Sequence, residues 1–178
     1  VGDYPIDHHH RKNPEAPQHL GFYPIPSFSV PLGSLIPPIE YEGLIAAEKA
    51  ISVSNVVNGT TRLQPCVILI GQAAGTLAAL TSLSGYHHPI KVPVRKVQEI
   101  LLQQKAYLMP YADVPVGDPA FQSIQRVGAS GFLRGKGQPN AWANRTWFEP
   151  DSTLREYQFI SELPLIEKTI STASNSFS

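Results

Sequence analysis

Hydrophobic and polar positions divide the 178-residue chain into three zones of different periodicity. In residues 1–38 no apolar period develops, because prolines arrive every few residues: Pro5, Pro14, Pro17, Pro24, Pro26, Pro31, Pro37 and Pro38. Each removes a backbone donor and blocks helix, which predicts extended segments and loops. Residues 22–30 have room for short edge strands, where proline is tolerated. From Glu40 the character changes. Gly43-Leu44-Ile45-Ala46-Ala47 is a short apolar run after a glycine and predicts a buried strand, with a helical reading open for the Ala-rich residues 46–50. The Asn58-Gly59 pair predicts a turn. Thr60 and Thr61 as caps, with Pro65 in a first turn, predict a helix over residues 62–83 that ends at Gly85. It is apolar nearly all round, which predicts burial. Gly71, Ala74, Gly75 and Ala78 form a smooth stripe along it. A second helix, residues 93–104, puts Val94, Val97, Ile100 and Leu101 on one face.

A third zone starts at Tyr107. Asp118-Pro119 offers a cap and a first turn, and Ala120, Ile124, Val127 and Gly128 predict a short amphipathic helix ending near Gly131. Residues 131–144 are rich in Gly, Pro and Asn and predict a loop. Asp151-Ser152 predicts the cap of a further helix carrying Leu154, Tyr157, Phe159 and Ile160. The small, polar residues 171–178 predict a fraying tail.

Composition narrows the function classes. Lys+Arg and Asp+Glu both number 14, so the formal net charge is zero. General nucleic-acid binding runs on an excess of positive charge, and this chain has none. The single Cys66 excludes an intramolecular disulfide and a cysteine-based zinc site. The longest apolar run, residues 66–80, is interrupted by Gln72 and is shorter than the ~20 residues of a membrane-spanning helix. The chain opens at Val1 inside what reads as a loop, which predicts a fragment with its N-terminal part elsewhere.

Several separated motifs occur in a fixed order in the first hundred residues. They are Asp3-Tyr4-Pro5-Ile6-Asp7-His8, Val30-Pro31-Leu32-Gly33-Ser34-Leu35-Ile36-Pro37, Gly43-Leu44-Ile45-Ala46-Ala47-Glu48-Lys49, Asn58-Gly59-Thr60-Thr61-Arg62-Leu63-Gln64-Pro65 and Ile70-Gly71-Gln72-Ala73-Ala74-Gly75-Thr76. Together they resemble the C-terminal part of the bacterial FAD-dependent oxidoreductases often labelled xanthan lyase. They are more distantly similar to the flavoprotein subunits of succinate dehydrogenases and fumarate reductases. The resemblance implies FAD as cofactor, with Glu48 near the ribityl chain and Gly59, Thr60, Thr61, Arg62, Leu63 and Gln64 at the flavin pyrimidine edge. A helix N-terminus suits that edge, because its unpaired N–H groups and partial positive charge stabilise a reduced flavin. The Gly-x-Gly-x-x-Gly turn that cradles the pyrophosphate is not in these residues. The fragment alone is therefore not expected to hold FAD and would depend on the N-terminal FAD-binding part of the same chain.

The third zone resembles a single S-layer homology module. Ala112-Asp113-Val114, Gly131-Phe132-Leu133-Arg134-Gly135 and Phe148-Glu149-Pro150-Asp151-Ser152 follow its order and spacing. In that family such modules bind cell-wall polysaccharide, which implies a polysaccharide partner and a secreted, periplasmic or cell-surface location. Leu154-Arg155-Glu156 departs from the usual Thr-Arg-Ala-Glu-like sequence.

The fold class expected is α+β to mainly α. Residues 1–106 would form the C-terminal lobe of an FAD-binding fold, with strands and a long buried helix, and residues 107–178 a small helical module. His8 and Arg62 are the candidate catalytic residues. In the run Asp7-His8-His9-His10 only His8 and His10 share a side of an extended chain, and no carboxylate or cysteine set accompanies them, so no metal site is expected. His87-His88, just after Gly85, is expected to be exposed. Cys66 reads as a small buried hydrophobe. The function expected is hydride transfer between a carbohydrate-related substrate and FAD. The alternatives are a non-catalytic polysaccharide-binding module and a polysaccharide lyase built on Tyr4, His8 and Arg62.

Overall fold

A computed structural model describes residues 1–8, 20–140, 142, 144–157, 159–161 and 163–164. His9 and His10, the 171–178 tail and residues 158, 162 and 165–170 near the last expected helix lie outside the described residues. The fold is mixed, with four α-helices, a further helical stretch from Glu156 and two small two-stranded sheets among the described residues.

Strand β1 (Ile6–His8) pairs antiparallel with β2 (Leu20–Tyr23), Ile6 opposite Tyr23 and His8 opposite Leu20. A bulge separates those two pairs, and Phe22 within it is left-handed, φ 51°. A bulged strand bends and re-aims its side chains, here bringing Phe22 within 4.2 Å of Trp142, ring centre to ring centre. The prolines of this zone thus admit strand only in short pieces.

Residues 43–47 are not a strand. Ala46 donates its N–H to Leu35 O, and a 3-10 turn, Glu48–Ala50, follows directly. The run is apolar because Ile45 and Ala47 pack on the core containing Leu35 and Ile51, which needs burial but no sheet partner. Nor is Asn58-Gly59 a turn: both lie inside α1 (Asn55–Thr61). Ser54 is its N-cap, accepting from Val57 N–H at 3.2 Å, and this cap starts the helix despite its poor formers.

Helix α2 (Gln64–Leu83) starts two residues later than the sequence pattern predicts, since Arg62 closes α1 and Leu63 is the N-cap of α2. Pro65 occupies the first turn, where a missing N–H costs nothing, and Gly85 ends the element at φ 71°. The helix is not buried all round. Cys66, Val67, Ile70, Ala74, Thr76 and Leu77 face inward, whereas Ile68 is 68% and Leu83 87% exposed. Gly71 and Gly75 have nothing within 4 Å of where a Cβ would stand, so the smooth stripe is open at its glycines while Ala74 packs in the core. At 20 residues with mean hydropathy 1.8, α2 is long and apolar enough to cross a bilayer, longer than the run of residues 66–80 suggested. A third of its most apolar window is buried inside this fold.

Helix α3 (Val94–Gln103) presents Val97, Leu101 and Leu102 to the interior. It closes with Lys105 left-handed, φ 61°, Ala106 N–H bonding Leu101 O and Lys105 N–H bonding Leu102 O. His88 is buried, not exposed: its Nδ1 accepts from Ile90 N–H and caps the 3-10 turn Pro89–Lys91. That acceptor role leaves the proton on Nε2.

The following unit is stitched to these helices. Gln125, fully buried on α4 (Phe121–Ala129), accepts from Leu108 and Met109 N–H and donates to Met109 O. Leu102 of α3 joins Tyr111, Val114, Phe121 and Ile124 in one apolar cluster. Residues 131–144 are not wholly loop. Residues 136–138 form β3 (Lys136–Gln138), which pairs antiparallel with β4 (Arg145–Trp147). Asp151-Ser152 does not cap a helix; helical residues begin at Glu156, and Leu154, Tyr157, Phe159 and Ile160 are exposed.

Tyr111 is 3% exposed and donates its hydroxyl to Leu133 O at 3.1 Å. Burial, with Asp113 nearby, pushes that hydroxyl up to about 12. Unfolded, the hydroxyl releases its proton around pH 10; folded, it keeps it until about 12. The unfolded chain binds fewer protons in that window, so the contribution is complete below pH 10 and is lost as pH rises to 12. We expect Tyr111→Phe to cost about 1 kcal/mol at neutral pH. Denaturant titrations at pH 9 to 12 should show the wild type losing on the order of 2 kcal/mol more than this variant.

Candidate functional site

Four short-range contacts assemble one site at the junction of β1, α1 and α2. Gly59 brings the two backbones together: a Cβ there would stand 2.6 Å from Asp7 O. Glycine is required at this point by close approach and not by a turn. One residue on, the Thr60 hydroxyl donates to Tyr4 O. Thr61 donates to Val57 O within α1. Arg62, at the end of α1, reaches back so that one Nη contacts Asp7 Oδ2 at 3.1 Å and Asp7 O at 3.2 Å.

The Arg62 guanidinium is thus neutralised by a carboxylate whose side chain is 11% exposed. The positive charge that Arg62 would bring to the flavin pyrimidine edge is offset by Asp7, whose role the sequence did not announce. An Asp beside a His in an extended run carries no signal of a partner 55 residues away. His8, the next residue, is buried in β1, 6% exposed. Gly59, Thr60 and Arg62 therefore gather against residues 4–7, and His8 follows Asp7 in the same strand.

The positions expected at the pyrimidine edge divide between two helices. Gly59, Thr60 and Thr61 are buried in α1; Leu63 and Gln64 open α2. No side chain caps the N-terminus of α2, and its first turn holds no acidic residue. Its leading N–H groups and partial positive charge remain open to an electron-rich group. Glu48 is exposed, at the head of its 3-10 turn, with its backbone left-handed at φ 59°. Asn58 Nδ2 reaches Lys49 O at 3.4 Å, which holds that turn beside α1. A non-glycine residue in this region stores on the order of 1–2 kcal/mol and marks a position set by its surroundings.

Cys66, in the first turn of α2, is buried, and burial pushes its thiol up. It remains a thiol, poor as a nucleophile. Among the described residues no three His, Cys, Asp or Glu side chains converge as a metal ion requires. Trp142, from the third zone, extends the corner: its ring stands 6.2 Å from Tyr4 and 4.2 Å from Phe22. Asn144 fastens the same segment, donating to Asp3 O at 2.7 Å while accepting from Asn140 N–H.

Two outcomes follow for stability. Arg62→Ala strips Asp7 of this ion partner; with the guanidinium 36% exposed, solvent limits the loss to about 1–2 kcal/mol. Combined with Asp7→Asn, the total should fall short of the sum of the two single losses. Gly59→Ala should destabilise although alanine favours helix by up to about 1 kcal/mol, because β1 must move. Urea unfolding of the four variants reads both.

The first 101 residues match the family model described as FAD dependent oxidoreductase. No curated protein and no solved structure matches the chain.

Proposed function

Since the chain belongs to the FAD dependent oxidoreductase family through residues 1–101, we propose that it supplies the flavin-facing wall of an enzyme that moves hydride between a carbohydrate-related substrate carbon and flavin N5. The observation that carries this reading is the uncapped N-terminus of α2 beside the half-buried Asp7–Arg62 pair. The residues fit the pyrimidine edge of a flavin, which needs donors, and do not supply a pyrophosphate cradle.

When bound, FAD supplies hydride acceptance at N5. The chain's own groups do the rest. The N–H groups opening α2, at Leu63 and Gln64, stabilise negative charge with their partial positive charge and need no reorganisation. Arg62, held by Asp7, adds directed hydrogen bonding and little net charge. Thr60 and Gly59 keep β1 in place, and with it His8, the group we assign to holding or moving a proton. Glu48 stands ready for ribityl hydroxyls. The N-terminal FAD-binding part of the chain is the partner this wall requires. The order of motifs in residues 112–159 supports a surface-held, S-layer-homology-like module recognising polysaccharide. A lyase reading is weaker, because Arg62, which it needs for a uronate, is committed to Asp7.

The test adds FAD to the 178-residue chain and to protein carrying these residues together with a strand–Gly-x-Gly-x-x-Gly–helix unit. We expect a bound-flavin absorption band in the longer protein and none in the shorter. A longer protein without that band overturns the reading.

A further inference from the structure

A cleft of about 820 Å³ opens where the family-matched residues meet the unit that follows them. That volume suits a small organic molecule, for which sites run to roughly 300–1,000 Å³. One wall is apolar, with Leu32, Ile70, Ala73, Val97, Leu101 and Leu108. The facing wall comes from residues beyond the matched segment, among them Met109, Gly128, Arg134 and Gly137.

Most of the polar groups lining the cleft already have partners in the protein. The Ser27 and Thr146 hydroxyls bond each other at 2.7 Å. Ser29 donates to Leu108 O, Tyr107 donates to Val114 O, and Gln72 donates to Gln104. No Asp, Glu, His or Lys lines the cleft among the described residues. Apart from the Tyr107 phenol and the Val1 amino terminus, whose burial pushes its pKa down, Arg134 is the one ionisable group on its walls among the described residues.

Arg134 is also the group left with donors to spare. Its Nε donates to Gly131 O at 3.0 Å, and its two Nη groups have no partner among the described residues. The backbone around it is held tightly. Gly131, Leu133 and Gly135 all have positive φ, at 88°, 49° and 78°. Leu133 O takes the Tyr111 hydroxyl, and a Cβ on Gly135 would stand 2.6 Å from Trp147 O. A left-handed leucine inside a packed loop is a strained position that its surroundings over-determine. The guanidinium is thereby placed at the rim before any ligand arrives.

We propose that this cleft binds an amphipathic carboxylate, its apolar body along α2 and α3 and its carboxylate on the Arg134 guanidinium. An apolar wall selects the body by burial. One planar cation with free donors and no competing acid selects a single carboxylate, which it can take through two parallel hydrogen bonds. The inference stands apart from the flavin reading, since it uses a residue outside the family match.

The test is titration calorimetry on the 178-residue chain with dodecanoate and with dodecanol, both below their aggregation limits. We expect one saturable site and dodecanoate tighter than dodecanol by about tenfold or more. Arg134→Gln should bring dodecanoate down to the level of dodecanol and leave dodecanol unchanged. Arg134 is exposed, so circular dichroism should show the variant folded. Absence of saturable dodecanoate binding, equal affinity of the two ligands for the wild type, or dodecanoate binding unaltered in Arg134→Gln each overturns the proposal. The wild-type comparison decides even if the variant fails to fold.

Discussion

Gly59 allows the backbone of α1 to lie directly on the backbone of β1, and the candidate site follows from that contact. With the two chains this close, the Thr60 hydroxyl reaches Tyr4 O and Arg62 reaches both the carbonyl and the carboxylate of Asp7. The end of α1 is then fixed in space. Because α2 begins two residues after Arg62, the direction of its N-terminus is fixed with it. A methyl group at position 59 would break the arrangement at its first step, before any charge is involved.

The Asp7–Arg62 pair changes what the corner can do electrostatically. An isolated guanidinium would dominate its surroundings; paired with a largely buried carboxylate it acts as a directed donor. The uncompensated positive character is the diffuse partial charge at the start of α2, where neither a side-chain cap nor an acid neutralises it. That is a mild, preorganised field suited to charge that comes and goes.

The unit after α3 is tied to the site as well as to the core. Gln125 clamps the connecting backbone, Glu99 and Arg126 pair at 2.8 Å between α3 and α4, and Asn144 bonds Asp3 across 141 positions of sequence. The same joining of units creates the apolar cleft and places Arg134 on its rim. Both features belong to the pair of units and to neither alone.

By itself the sequence determined the elements that local chemistry dictates. The long helix with Pro65 at its start and Gly85 at its end, the amphipathic α3 and α4, and the short proline-limited strands all follow from periodicity and from backbone restrictions carried by single residues. Its ordered motifs also pointed to the family whose model residues 1–101 match. Tertiary structure alone decided the rest. Asn58-Gly59 has the chemistry of a turn, yet the Ser54 cap and the packing of α1 on β1 make it helix. The Gly43–Ala47 run is as apolar as a strand but finds no sheet to join. His88 is buried by its neighbours, and α2 leaves one side open despite being apolar all round. Pairing of Arg62 with Asp7, and of Asn144 with Asp3, cannot be read from spacing, because a hydrogen bond between distant residues depends on where the whole chain returns.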